Sequence, residues 1–271
     1  MAASRLAAGG PVGVFDSGIG GVSTLAAIRG QLPREHLLYV ADTGHLPYGE
    51  RPQAYIVERA LRITEYFLSC GAKAVAIPCN TATAAAIEAL RARHPGLPIV
   101  GIEPAVKPAA RLTRSGIIGV LATSGTLLSD RFHALVRRQA ADVQVLLKPC
   151  PGWVTLVEEG GWPAHADRLV AEPLEDLHRR GADVLVLGCT HFPFLIEAIR
   201  RHIGPDVPVL ETGLPFARQL QRLLLTLGLA RVAGEGGVSF FTSGDPAAVA
   251  RRLERLTGRR ATVERLPEPY C

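Results

Sequence analysis

No stretch of the 271-residue chain approaches the roughly 20 unbroken apolar residues of a helical membrane span, because Arg, Gly and Pro interrupt every hydrophobic run. Membrane partners are not expected. The first ten residues, MAASRLAAGG, lack the apolar core of a signal peptide and read as a disordered extension. Cysteine pairs are missing as well: Cys70, Cys79, Cys150, Cys189 and Cys271 are widely spaced, odd in number and free of any CxxC. That pattern argues against a disulfide framework and a zinc knuckle, and fits a reducing cytoplasm. Lysine is scarce, with only Lys73, Lys107 and Lys148, and none falls in a strand-end motif where a Schiff base to pyridoxal phosphate would form. The net charge of +5 comes from scattered Arg, with no basic stripe interleaved with aromatics, so nucleic acid is not an expected partner. The densest basic run, RRLERLTGRR (251–260), has the helical spacing of a solvated face.

Hydrophobic residues, by contrast, make up 48% of the chain, enough for a large core. They fall in short runs, VGVF, HLLYVAD, AVAIP, PIVGI, GIIGVLA, VQVLLK, DVLVLG and VPVLE, separated by longer amphipathic segments such as 22–32, 55–71 and 81–94. Strand and helix periods in alternation predict an α/β fold with mainly parallel sheets and crossover helices. The first four runs can be laid on the second four. GVFDSGIGG (13–21) matches GVLATSGTL (119–127), and GAKAVAIPCNT (71–81) matches GADVLVLGCTH (181–191). The intervals agree: 63 positions from Asp16 to Cys79 against 66 from Thr123 to Cys189, then 24 to Glu103 against 22 to Glu211. Two similar doubly wound lobes related by a pseudo-twofold are therefore expected, with the active site in the cleft between them. One strand and helix (238–258) remain to extend one lobe. Chain breaks at Pro104, Pro108, Gly213 and Pro215 divide the chain into lobe 1, residues 1–103 with 213–271, and lobe 2, residues 104–212.

In such a repeat each lobe carries a cysteine at the C-terminal end of an equivalent strand, where open α/β sheets hold their ligands. Two facing thiols suit one chemistry well. Removing a proton from the α-carbon of an amino acid takes a base on one face, and inverting the centre takes an acid on the other. Cysteine, with an unperturbed pKa of about 8.5, can serve as either near neutrality. PCNTAT and GCTHFP both read as strand-to-helix junctions, where free N–H groups favour an anion. Cys70, Cys150 and Cys271 read instead as buried small hydrophobes.

The motifs DSGIGG (16–21), ADTGHLPYGER (41–51), PCNTAT (78–83), GVLATSGT (119–126), CPGWVTLVEEG (150–160) and GCTHFP (188–193) resemble, in order and interval, those of bacterial glutamate racemases. The resemblance spans residues 12 to about 270. It implies cofactor-independent interconversion of L- and D-glutamate for peptidoglycan precursors, with Cys79 acting on the D-enantiomer and Cys189 on the L-enantiomer. It further implies that Asp16 and His191 assist Cys79 and Cys189, and that Glu158 lines the site near His191. By the same implication Ser17, Tyr48, Gly49, Asn80, Thr81, Thr123, Thr126 and Thr190 hold the substrate, together with Asp16 and His191. Family members often dimerise, so a homodimer is an expectation too. Two departures stand out: LETG (210–213) replaces an Asp-Ser-type turn, and Phe192 replaces a tyrosine.

Other readings compete. DSGIGG lacks the spacing of a GxGxxG or P-loop phosphate cradle. Cys189 and His191 alone make a poor metal site, so neither metal nor cofactor is expected. A two-lobed solute-binding protein would leave the paired cysteines without a purpose, and a thiol hydrolase built on Cys189 and His191 would leave Cys79 unexplained. A racemase for aspartate or a hydantoin is the nearest alternative within the class.

Overall fold

Parallel strands buried on both faces need helices on both sides, and the chain supplies them in strict alternation. The computed structural model describes residues 7–160 and 165–271; residues 1–6 of the expected disordered extension lie outside the described residues. The first half runs β1 (Val12–Asp16), α1 (Val22–Gln31), β2 (His36–Ala41), α2 (Gln53–Ser69), β3 (Ala74–Ile77), α3 (Asn80–Arg93), β4 (Ile99–Gly101) and α4 (Val106–Leu112). The second runs β5 (Ile117–Ala122), α5 (Ser124–Leu127), α6 (Asp130–Gln139), β6 (Gln144–Pro149), α7 (Trp153–Glu159), α8 (Ala166–Arg179), β7 (Val184–Leu187), α9 (Ile196–Ile203), β8 (Val209–Leu210) and α10 (Gly213–Thr226). The chain closes with β9 (Gly237–Thr242), α11 (Pro246–Thr257) and β10 (Val263–Arg265).

Among the described residues all pairings are parallel, in two sheets ordered β10-β9-β2-β1-β3-β4 and β6-β5-β7-β8. The order β2-β1-β3-β4 in one sheet is repeated as β6-β5-β7-β8 in the other, which bears out the two-lobed repeat. Each sheet has an apolar layer on both faces. Val12 and Val14 join Leu25, Ile28, Leu220 and Leu224 on one side of the larger sheet, while Phe15 joins Ile63, Phe67 and Ile87 on the other. Around the smaller sheet, Leu121 faces Trp153, Leu174 and Ile199, and Ile118 and Val120 face Val106, Phe132 and Leu135. Side chains alternate across each strand, as the two-residue period requires. α10 follows the smaller sheet in sequence but packs with α1 in the core of the larger one.

Several local expectations change. Pro108 and Pro215 do not break the chain: each lies in the first turn of a helix, α4 and α10, where a backbone N–H would have no intrahelical partner. Only Pro104 stands in an irregular crossing. Among the cysteines, Cys150 is buried beside Leu121 and Trp153, but Cys70 is exposed and Cys271 half-buried. Cys70 follows the last residue of α2 at its C-terminal cap, where the helix leaves the sheet and meets solvent. Phe192 needs no hydroxyl because it is fully buried, edge-on to Trp153 with centroids 4.8 Å apart.

Candidate active site

Cys79 follows β3 and caps the N-terminus of α3. Its Sγ accepts from Ala82 N at 3.4 Å, and its thiol donates to Ser17 Oγ at 3.5 Å. The Ala82 N–H, and the Ser17 hydroxyl when it turns to donate, favour a thiolate, yet burial outweighs them. Desolvation, then the charge of Asp16, pushes the thiol up to about 12. The strand-end position does favour ionisation at Cys79, where Ala82 N pulls the thiol down, but burial is the larger effect. Asp16, at the end of β1, does not bond to the sulfur; its carboxylate accepts from Gly18 N at 2.9 Å and Thr190 Oγ1 at 3.0 Å. Burial lifts its carboxyl above the ordinary range, against the pull of His191, Gly18 N and Thr190.

Cys189, after β7, is supported differently. The segment that follows it is a turn and a short 3₁₀ stretch, Phe192–Leu195, before α9 begins, so the expected helix N-terminus is not directly behind this thiol. A side-chain chain stands there instead. Cys189 Sγ lies 3.7 Å from His191 Nδ1, and His191 Nε2 is 2.8 Å from Glu158 Oε1. Ile19 N also donates to Oε1 at 2.8 Å, and Arg252 donates to Oε2 at 3.1 Å. Burial opposes charge on both His191 and Glu158, but the hydrogen bonds win. His191 is held well above its ordinary value by Cys189 and Glu158, and Glu158 below its own by His191, Ile19 N and Arg252.

Two of the three glycines of DSGIGG owe their places to this arm, while Gly21 is packed against Asp16 and Tyr39. A Cβ at Gly18 would run into the Glu158 carboxylate, and one at Gly20 into the His191 ring. The loop ending β1 is thus a bare surface on which the other lobe's acid and imidazole rest, and a phosphate cradle is not what its glycines serve.

Both thiols line one narrow cavity of about 10 Å³, room for about one water, so a small-molecule ligand needs its walls to part. Ser17, Tyr48, Gly49, Asn80, Thr81, Thr123, Thr190 and His191 line it with them, joined by Leu46, Pro47 and Val154, which motif reasoning did not single out as site residues. Asp16, Thr126 and Glu158 stand behind this wall. Thr126 acts through its neighbours: Thr81 Oγ1 meets Thr123 Oγ1 at 2.9 Å and Thr126 Oγ1 at 3.3 Å, a knot of hydroxyls joining the two sheets' strand ends. The Tyr48 hydroxyl donates to Asp42 at 2.5 Å, and Arg59 clamps the same carboxylate from two nitrogens. Asn80 is different. It is buried, and among the described residues neither its amide nitrogen nor its oxygen has a hydrogen-bond partner. A buried, unsatisfied amide on a cavity wall is a ready contact for a polar ligand. Among the described residues no group of three His, Cys, Asp or Glu side chains is arranged to hold a metal ion, and no helix is long and apolar enough to cross a membrane.

Most of residues 251–260 is exposed, as a solvated face requires, but Arg252 departs from that reading by reaching Glu158. Helical spacing locates Arg251, Arg252 and Arg255 on α11, but only the tertiary fold brings that helix to Glu158. Arg59 and Asp42 were likewise hidden, because clamping a tyrosine leaves no signature in residue spacing.

Two buried thiols at equivalent strand ends line one cavity, an arrangement suited to paired acid–base chemistry. The family model described as Asp/Glu/Hydantoin racemase matches residues 22–220, and the chain belongs to that family. It is 52% identical over 254 residues to a glutamate racemase of Ectopseudomonas mendocina, covering 93% of this chain and 97% of that protein. Among solved structures, glutamate racemase isoform RacE1 of Bacillus anthracis superposes with a TM-score of 0.86 at 30% identity, covering 96% of this chain and 98% of that one. Escherichia coli glutamate racemase, solved with L-glutamate, gives 0.82 at 32% identity over 95% and 98%.

Proposed function

We propose that this chain is a glutamate racemase, an isomerase that interconverts L- and D-glutamate with Cys79 and Cys189 as its two proton-transfer groups. The observation that carries the reading is the shared cavity: thiols from equivalent strands of two sheets meet in it. For the L-enantiomer, the Cys189 thiolate takes the α-proton, and the electron pair delocalises into the α-carboxylate. The Cys79 thiol then returns a proton to the opposite face. The D-enantiomer runs the same steps with the thiols exchanged. A substrate ammonium beside a thiol raised by burial and by Asp16 supplies positive charge there, which lowers the cost of ionising it.

His191 touches the cavity and supports Cys189, whereas Asp16 and Glu158 act from behind the wall, Asp16 through Thr190 and Glu158 through His191. Ser17, Asn80, Thr81, Thr123, Thr190 and the loop at Tyr48 and Gly49 offer neutral donors to the two carboxylates, and Thr126 holds Thr81 and Thr123 in place. The lobes are taken as residues 1–103 with 213–271, and 104–212. Family resemblance extends the proposal to a cytoplasmic enzyme that supplies D-glutamate for peptidoglycan and works as a homodimer, checked by light scattering against the 28.9 kDa chain mass.

The experiment is incubation with L-glutamate in heavy water without added cofactor. D-glutamate should appear with deuterium at the α-carbon. Absence of both products overturns the reading. Cys79→Ala and Cys189→Ala should each lose racemisation by at least the about 10²- to 10⁴-fold that a missing acid or base costs.

A further inference from the structure

The Cys189 arm ends in a cation from the other lobe. Arg252 stands on α11, which packs on β9 and β10 at the edge of the six-stranded sheet, while Glu158 is carried by α7, after β6 of the four-stranded sheet. The Arg252 side chain is part-exposed, but the carboxylate it reaches is buried. Three residues along the same helical face, Arg255 donates to Val157 O at 2.7 Å, Glu158 O at 3.1 Å and Glu159 O at 3.2 Å. These carbonyls close α7, where no further intrahelical donor follows, and the negative end of a helix welcomes a cation.

The groups around Glu158 divide its two oxygens. Oε1 takes Ile19 N and His191 Nε2, and Oε2 takes Arg252. Asp16 at the end of β1, Tyr39 on β2 and, through His191, Cys189 are the other titratable groups whose charge it feels. Asp16, when ionised, is an anion that disfavours a second buried carboxylate. His191 and Ile19 N are the larger counterweights and Arg252 adds to them, and with both oxygens bonded the carboxylate cannot rotate away from the imidazole.

We infer that Arg252 is a positioning residue for the racemisation proposed above: reaching across the lobes, it holds the Glu158 side chain in place and thereby sets His191 on Cys189. The inference rests on that functional reading, and its test separates the two. Wild type, Arg252→Met, Arg252→Lys, Glu158→Gln and the double variant Arg252→Met with Glu158→Gln are assayed for racemisation across pH. Arg252→Met should lower kcat about 10- to 100-fold, as loss of a group that orients a reacting side chain does, with KM changed far less. Arg252→Lys should recover most of the loss. Because Glu158 loses a cation that helps hold it ionised, the acid limb of kcat/KM in Arg252→Met should move to higher pH. In the Glu158→Gln background, Arg252→Met should cost less than about twofold more, since the two act as one unit. Arg255→Met, which loses only carbonyl contacts, should lower the melting temperature without moving the acid limb, and so marks a purely structural effect. A wild type that does not racemise glutamate overturns the functional reading and this inference with it. A racemising wild type overturns the inference alone if Arg252→Met retains its rate, leaves the acid limb in place, or adds its full loss to that of Glu158→Gln.

Discussion

Reactivity at a single thiol follows its thiolate fraction, and burial holds Cys79 protonated until substrate arrives. Iodoacetamide at pH 8 should therefore label exposed Cys70 well before Cys79 in the unliganded protein, as read by peptide mass. Earlier labelling of Cys79 would mean that its thiol is ionised at rest. Gly20 is the second residue whose environment dictates an outcome. Its replacement by Ala places a methyl where the His191 ring lies, so the imidazole must shift away from Cys189. A misplacement of that size costs about 10²-fold in rate. Gly20→Ala should lose kcat on that order while circular dichroism stays native, and a rate near wild type would show that the loop yields instead.

Elements are held in register by pairs that contribute nothing to the site. Lys73, just before β3, and Glu35, just before β2, are both fully buried with Nζ and Oε2 2.6 Å apart. Lys73 also donates to Ala8 O, and Glu35 accepts from Arg231 N. Lys73→Met strands the carboxylate, and breaking a buried pair in this way costs about 3–5 kcal/mol. Denaturant unfolding should show a fall of that size, and a midpoint unchanged from wild type would disprove it. The strands themselves were readable: the eight apolar runs became β1 to β8, because strands buried on both faces leave continuous apolar text. β10 was not readable, since its three residues, Val263–Arg265, are largely exposed and carry no alternation. Short helices such as α5 were hidden for the same reason, four residues being too few to show a period. At the site, Cys79 and Cys189 could be found because the repeat set them in equivalent places. Arg252 could not, because its partner lies 94 positions away and nothing in a surface helix announces which neighbour it will meet.

Across the whole molecule, the groups that join the two lobes include the threonine knot, the Arg252 contact and Arg131 of α6 bridging Glu88 and Glu103. Between the lobes Cys79 lies buried, and its burial has a pH signature. The Cys79 thiol is pushed from its ordinary value up to about 12 in the folded protein. Between those values the unfolded chain releases a proton that the folded one keeps, so stability falls as pH rises above about 9. Thermal melts from pH 8 to 11 should show this decline, and Cys79→Ala should flatten part of it. Identical slopes in the two proteins would count against a buried, protonated thiol. Glu158 works with the opposite sign: its carboxylate is held below its ordinary value, so its stabilisation is present above that value and is lost as pH falls through the lowered one.

The supports of the two thiols are unequal, Ser17 and a helix N-terminus behind one, an imidazole–carboxylate–guanidinium relay behind the other. Mirror-image substrates in achiral water have the same free energy, so their interconversion has an equilibrium constant of one. The Haldane relation then forces kcat/KM to be equal in both directions, for this protein and for every variant of it. The asymmetry of the walls can therefore never favour one enantiomer as product. It can appear only as a trade between turnover and saturation, each direction reaching the same efficiency at a different substrate concentration.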